Sequence, residues 1–140
     1  MKTWLVDTGP LVTYLDATDP AHPTVARHWD TFTGRLATTS AVITEAMQFA
    51  AASRLGPRHL ADLVAESGTQ VYDLTRPPEV QLAAALMEKY ADTPMDFADA
   101  TLVLVAEALD VQDVLTLDRR GFRTYRTRAG RAFRIVPDAA

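Results

Sequence analysis

Between Met95 and Asp118 the chain reads MDFADATLVLVAEALDVQDVLTLD, a stretch too apolar for a solvated helix face and bounded at both ends by carboxylates. Ala100–Ala106 is apolar apart from Thr101, which predicts a buried helix. Asp96 and Asp99 lie three apart and share one face of its first turn. Val114–Leu117 is short and β-prone, and it delivers Asp118 at its end. Ligands of parallel sheets gather at the carboxyl ends of strands, so Asp118 and the Asp96/Asp99 pair are expected to meet there. Thr93 reads as an N-cap with Asp96 three positions later, which gives Asp96 a capping-box explanation. Asp99 has no such explanation on this reading, and its neighbours Ala98 and Ala100 leave room for close approach.

The N-terminus repeats the arrangement. Thr3–Val6 is an apolar run closed by Asp7, after which Gly9-Pro10 leads into Leu11, Val12 and Leu15 at helical spacing. Pro10 suits a first helical position. Alone, Asp7 reads as a turn or cap residue, and only the recurrence of acids in equivalent places argues for more. Leu36–Thr39 reads as a strand, with Ser40 capping a helix to about Arg54. Ile43, Met47 and Ala50 mark its apolar stripe. On spacing alone Glu45, beside that stripe, is an early-helix acid favouring the dipole. Further helices are expected over about 58–67, ended by Gly68, and from Pro77-Pro78 through Tyr90, with a strand at Val71–Leu74 between them. Arg119–Phe122 reads as a turn anchored by Phe122, and Phe133–Val136 as an edge strand ended by Pro137. Strands alternating with helices predict an α/β fold, a mostly parallel sheet with helices on both faces. The length suits one domain, 1–140, with one core.

Without cysteine there are no disulfides or thiolate metal sites, and His22, His28 and His59 show no ligand spacing. No apolar run reaches membrane-spanning length and no signal peptide is evident, so a soluble, cytoplasmic protein is expected. Charge is unevenly placed. Residues 1–118 carry 17 acids against 7 Lys/Arg, a balance of −10, and residues 119–140 carry 7 arginines against one acid, a balance of +6. Such a basic end suits phosphate. It equally suits a chain whose ordinary surface cation is arginine.

Several carboxylates at one sheet edge repel unless a cation neutralises them or some protonate. All-oxygen ligands select a hard ion, Mg²⁺ or Mn²⁺, and the chemistry such an ion suits best is phosphodiester hydrolysis by an activated water.

Val6-Asp7-Thr8-Gly9-Pro10-Leu11, Thr44-Glu45, Met95–Ala100 and Leu115–Phe122 resemble, in order and spacing, the four acidic motifs of the PIN-domain ribonucleases, most closely the VapC toxins of bacterial toxin–antitoxin pairs. The resemblance spans Thr3 to Pro137. It implies that the catalytic acids are Asp7, Glu45, Asp99 and Asp118, and it gives Glu45 a role that spacing did not. Asp7 and Asp99 would be the main metal ligands, with Asp118 close by. Asp96, Thr8 and Thr116 would be accessory, and Arg119 and Arg120 are candidates for substrate contact. The resemblance further implies a PIN-like fold and a homodimer. It implies Mg²⁺- or Mn²⁺-dependent endoribonuclease activity on structured RNA such as tRNA or rRNA, and inhibition by a VapB-like antitoxin. The competing reading is a non-catalytic PIN-like module that binds RNA or protein. Phosphatase-like and receiver-like α/β proteins fit less well, because Asp7-Thr8-Gly9 lacks a second Asp and only Lys2 and Lys89 are available as the needed lysine.

Overall fold

The computed structural model describes residues 1–137. The elements run β1 (Thr3–Val6), α1 (Thr8–Tyr14), α2 (His22–Thr31), β2 (Arg35–Thr39), α3 (Ser40–Ala50), α4 (Gly56–Ser67), β3 (Gln70–Tyr72), α5 (Pro77–Lys89), α6 (Phe97–Leu109), β4 (Asp113–Leu115), α7 (Arg119–Thr124) and β5 (Arg134–Val136). The strands form one sheet in the order β3-β2-β1-β4-β5, with every neighbouring pair parallel. Leu5 and Val6, Leu36–Thr39 and all of β4 are buried at consecutive positions. Burial of both alternating side-chain sets requires cover on both faces. From β1 the chain steps outward to β2 and β3, then returns across the sheet to β4 and β5. Right-handed crossovers therefore put α1–α4 on one face and α5–α6 on the other. The reversal opens a crevice at the carboxyl ends of β1 and β4. Asp7 follows β1 directly, and Asp118 lies three residues beyond β4.

Helix α6 is the expected buried helix: every residue from Ala98 to Ala106 is buried, and α5 packs along it. Each large side chain so placed, such as Leu102 or Val103, contributes about 1.5–3 kcal/mol through burial. No helix among the described residues is long and apolar enough to cross a membrane.

Several boundaries differ from the sequence reading. Helix α1 starts at Thr8, capped by Asp7, so Pro10 stands third in the helix, still among positions whose N–H has no helical partner. Thr39 rather than Ser40 caps α3, which stops at Ala50; α4 begins at Gly56 and ends at Gly68 in the left-handed region (φ 66°), where a Cβ is disfavoured. Strand β3 covers Gln70–Tyr72, and β4 stops at Leu115, leaving Thr116 and Leu117 free to reach the crevice. Arg119–Thr124 is a short helix, not a turn, but Phe122 does anchor it at 0% exposure.

The arginine-rich end divides into two parts. Arg128, Arg131 and Arg134 pair with Glu107, Asp110 and Asp113, so both partners advance by three residues and each pair spans the same separation of 21. These acids lie at the end of α6 and the start of β4, the sheet end opposite the crevice. The ladder holds edge strand β5 and cancels much of the segment's positive charge. The expected basic face therefore narrows to arginines near α7.

Candidate active site

Five acids line one cleft of about 430 Å³: Asp7, Glu45, Asp96, Asp99 and Asp118, with Thr8 and Thr13 between them and Val12, Phe49 and Leu117 as an apolar rim. Each acid is placed by local backbone logic. Asp7 caps α1, its Oδ1 accepting from the Thr8 N–H at 2.8 Å. Its Oδ2 accepts from the Thr116 hydroxyl at 2.7 Å, a bond across 109 residues that fastens the tip of β1 to the segment after β4. That hydroxyl in turn accepts from the Asp118 N–H at 3.0 Å. Asp118 caps α7 through the Gly121 N–H at 3.0 Å. A Cβ on Gly121 would lie 2.3 Å from the Asp118 carboxylate, so only glycine permits this approach.

Asp96, not Thr93, is the N-cap of α6. It accepts from the Asp99 N–H at 2.8 Å, and Asp99 accepts in return from the Asp96 N–H at 3.2 Å. Asp99 therefore does take part in a capping box, contrary to the sequence reading. Two carboxylates one turn apart at a helix N-terminus gain from the helix dipole while repelling each other.

Helices α3 and α6 are pinned by buried hydroxyls. The Thr101 hydroxyl donates to the Ala98 carbonyl at 2.6 Å, so its 2.8 Å partner, the Thr39 hydroxyl, must be the donor between them. The Thr39 oxygen also accepts from the Val42 N–H. This chain fixes the helix carrying Glu45 against the helix carrying Asp99.

Electrostatics record the crowding. Burial pushes the Asp7 carboxyl up to about 6; its hydrogen bonds from Thr116 and Thr8 oppose the shift, and the charges of Asp96 and Asp118 add to it. Asp99 is pushed up to about 8 by burial and then by Asp7 and Asp96. Glu45 is raised by burial first and by Asp96. The Thr8 hydroxyl oxygen is buried and has no hydrogen-bond partner among the described residues. Near Glu45 its dipole still favours the ionised carboxylate. Such an orphaned oxygen among protonation-prone carboxyls suits a bound cation or its water shell. No three His, Asp or Glu side chains among the described residues are gathered into a metal cage. Mg²⁺ does not need one, because it commonly takes one or two carboxylates plus waters and substrate phosphate.

Tyr125 escaped the sequence reading. It is fully buried, donates its hydroxyl to the Pro94 carbonyl at 2.8 Å, and thereby steadies the loop that ends at Asp96. Burial, followed by the charges of Asp99, Asp118, Asp96 and Asp7, holds its phenol well above the ordinary range. The Phe122/Tyr125 spacing of three was the available signal.

No family model matches the chain. Ribonuclease VapC26 of Mycobacterium tuberculosis is 30% identical over 135 residues, covering 95% of this chain and 99% of the relative. This chain belongs to the VapC ribonuclease family. Its α/β, PIN-like fold is shared with the crystal structure of Mycobacterium tuberculosis VapC20, a sarcin–ricin loop cleaving toxin. The match has a TM-score of 0.72 at 23% identity and covers 82% of this chain and 89% of that one.

In this VapC-family chain the Thr116 hydroxyl is the link most open to a clean test, because it serves Asp7 and Asp118 at once. Thr116→Val removes the donor to Asp7 and strands the Asp118 N–H, and initial rates of RNA cleavage are expected to fall about 10–100-fold. Thr116→Ser keeps the hydroxyl and is expected to restore most of the rate. Equal rates in Val and Ser variants would show the bridge to be irrelevant.

Proposed function

We propose that the chain is the toxin of a VapBC-type pair, an endoribonuclease that hydrolyses RNA phosphodiester bonds with the help of Mg²⁺ or Mn²⁺. The observation that supports this most is the meeting of Asp7 and Asp99 across the crevice, both largely buried and both resisting ionisation unless a positive charge joins them. Asp7 and Asp99 are the principal ligands, with Asp118 alongside. Glu45, facing the same space from α3, completes the negative wall and orients water, while Asp96 and Thr8 assist. A divalent ion there supplies charge neutralisation and activation of the attacking water. The chain's own part is to hold two carboxylates fixed, through Thr116 and the capping box, where such an ion would sit beside the phosphate. No side-chain nucleophile is required.

Structured RNA, tRNA or ribosomal RNA, is the proposed substrate. The sarcin–ricin loop cleaved by the structural relative lends support to that class. A VapB-like antitoxin offering a basic side chain to the acids would inhibit, and a homodimer is the proposed assembly. Purified protein should cut RNA with Mg²⁺ or Mn²⁺ and stop with chelator. RNA binding with no metal-dependent cutting would favour the non-catalytic module instead.

Arg119 and Arg120 follow Asp118 at the crevice end, outside the ion-pair ladder, and the Arg119 Nε is buried with no partner among the described residues. We propose them as phosphate contacts. Replacing both by Gln is expected to weaken RNA binding and to reduce the slope of log affinity against log salt by about 1–2. Arg128→Gln, whose charge is already paired, is expected to leave that slope nearly unchanged. The reverse ranking would move the RNA path to the other end of the sheet.

A further inference from the structure

Beside the acid cleft lies a second cavity of about 390 Å³, lined by Ser40, Ala41, Thr44, Gln48 and Thr75 together with Phe97 and Ala98. It shares Glu45 and Asp96 with the acid cleft, so the two form adjoining lobes of one trough. Its volume falls within the range of about 300–1,000 Å³ typical of small-ligand pockets.

The chemistry of the two lobes differs. Among the described residues no lysine or arginine lines the second lobe, and the charges that line it are the shared carboxylates. A phosphate would be repelled there, whereas the neutral parts of a nucleotide would not. Ser40, Thr44 and Gln48 follow one another at steps of four on α3, so they form a polar stripe along one wall. Phe97, half-buried in the first turn of α6, also lines the lobe.

Hydrogen-bond accounting narrows the role further. The Ser40 hydroxyl donates to Asp73 at 3.0 Å and the Thr44 hydroxyl donates to the Ser40 carbonyl at 2.9 Å, so both offer only acceptor capacity to a ligand. The Gln48 amide and the Thr75 hydroxyl have no hydrogen-bond partner among the described residues. Glutamine presents a donor and an acceptor side by side, the pattern needed to pair with a base edge. An aromatic ring provides a sequence-tolerant stacking surface for any base.

We propose that this lobe is a nucleoside subsite. It takes the ribose and base of the nucleotide adjoining the cut phosphodiester, with Phe97 stacking on the base and Gln48 reading its edge. The subsite rests on the nuclease reading for the position of the phosphate, but its own binding behaviour can be measured without turnover.

The test uses four short single-stranded oligoribonucleotides differing at one position, bound to the full chain in chelator and followed by fluorescence anisotropy. Wild-type protein is expected to prefer one base by about tenfold, and Gln48→Ala to reduce that preference to about threefold or less. Phe97→Leu is expected to weaken all four by about tenfold through lost stacking. Circular dichroism establishes that both variants fold. Equal affinity of wild type for all four oligonucleotides, or a preference that survives Gln48→Ala, would overturn the subsite. Discrimination that depends on Gln48, found in a protein that never cuts RNA with Mg²⁺ or Mn²⁺, would support the subsite while removing the nuclease reading.

Discussion

Asp7→Asn and Asp99→Asn each lower RNA cleavage by about 10²–10⁴-fold, the range for a group acting at the reacting atoms, while making the metal-free protein harder to unfold. The two effects have one cause. Asn keeps the shape of Asp: at position 99 its carbonyl oxygen can still accept from the Asp96 N–H. At position 7 it can accept from Thr116 or from the Thr8 N–H but not from both, a loss of about 1 kcal/mol set against the relief of charge. What disappears is a carboxyl that at neutral pH must either carry a negative charge in a place that disfavours it, as at Asp7, or hold a proton there, as at Asp99. For Asp7, lifted from 3.8 to about 6 chiefly by burial, that relief amounts to roughly 1–3 kcal/mol at neutral pH. Initial cleavage rates and thermal melting in chelator, measured on the same preparations, check both halves. A variant that kept its activity would remove its residue from the metal site. One that lost activity by unfolding would contradict the electrostatic argument.

Phe122→Ala is the substitution expected to cost most in stability. Phe122 is fully buried and edge-on to both Tyr125, at 5.2 Å between ring centroids, and Phe133, at 5.4 Å. It fastens α7 to the core, and α7 begins at the Asp118 cap. Truncation removes the burial of a whole ring and leaves a cavity between two aromatic neighbours, for a loss of about 3–5 kcal/mol. The melting temperature should fall by roughly 10–20 °C. Phe122→Leu should cost less, because more of the volume is kept. Urea unfolding curves provide the measurement, and a change below about 1 kcal/mol in the Ala variant would mean that α7 docks by other contacts.

How much of this was legible in the chain depended on distance. Asp7 and Asp118 could be placed because each closes an apolar run, and strand ends are written in local pattern. The start of α6 was ambiguous for a specific reason: Thr93 and Asp96 are three apart, and so are Asp96 and Asp99, so the capping box fits either register. The choice fell on the second, and with it Asp99 acquired a structural duty that the first register denied it. The bond between Thr116 and Asp7 was invisible, since it depends on β1 and β4 being neighbours. The arginine ladder was hidden likewise: its repeat of three on two segments emerges only once β4 and β5 pair in parallel. Glu45 shows the opposite limit. Its spacing suggests an ordinary helix acid, and it lines the cleft only because the Thr39–Thr101 pin sets α3 against α6.

Thermal denaturation of chelator-stripped protein between pH 5 and pH 8, with and without added Mg²⁺ or Mn²⁺, tests the central claim most directly. The folded protein holds protons on Asp7 up to about 6 and on Asp99 up to about 8, above the ordinary value of 3.8. Their contribution is therefore most favourable at low pH and declines as pH rises through those values. Without metal, the melting temperature should fall from pH 5 to pH 8. A divalent ion at about one hundred times its dissociation constant should restore up to about 2.7 kcal/mol at the upper end. A profile that rises or stays level across that window, unmoved by either ion, would contradict an acid cleft built to be neutralised by a hard cation.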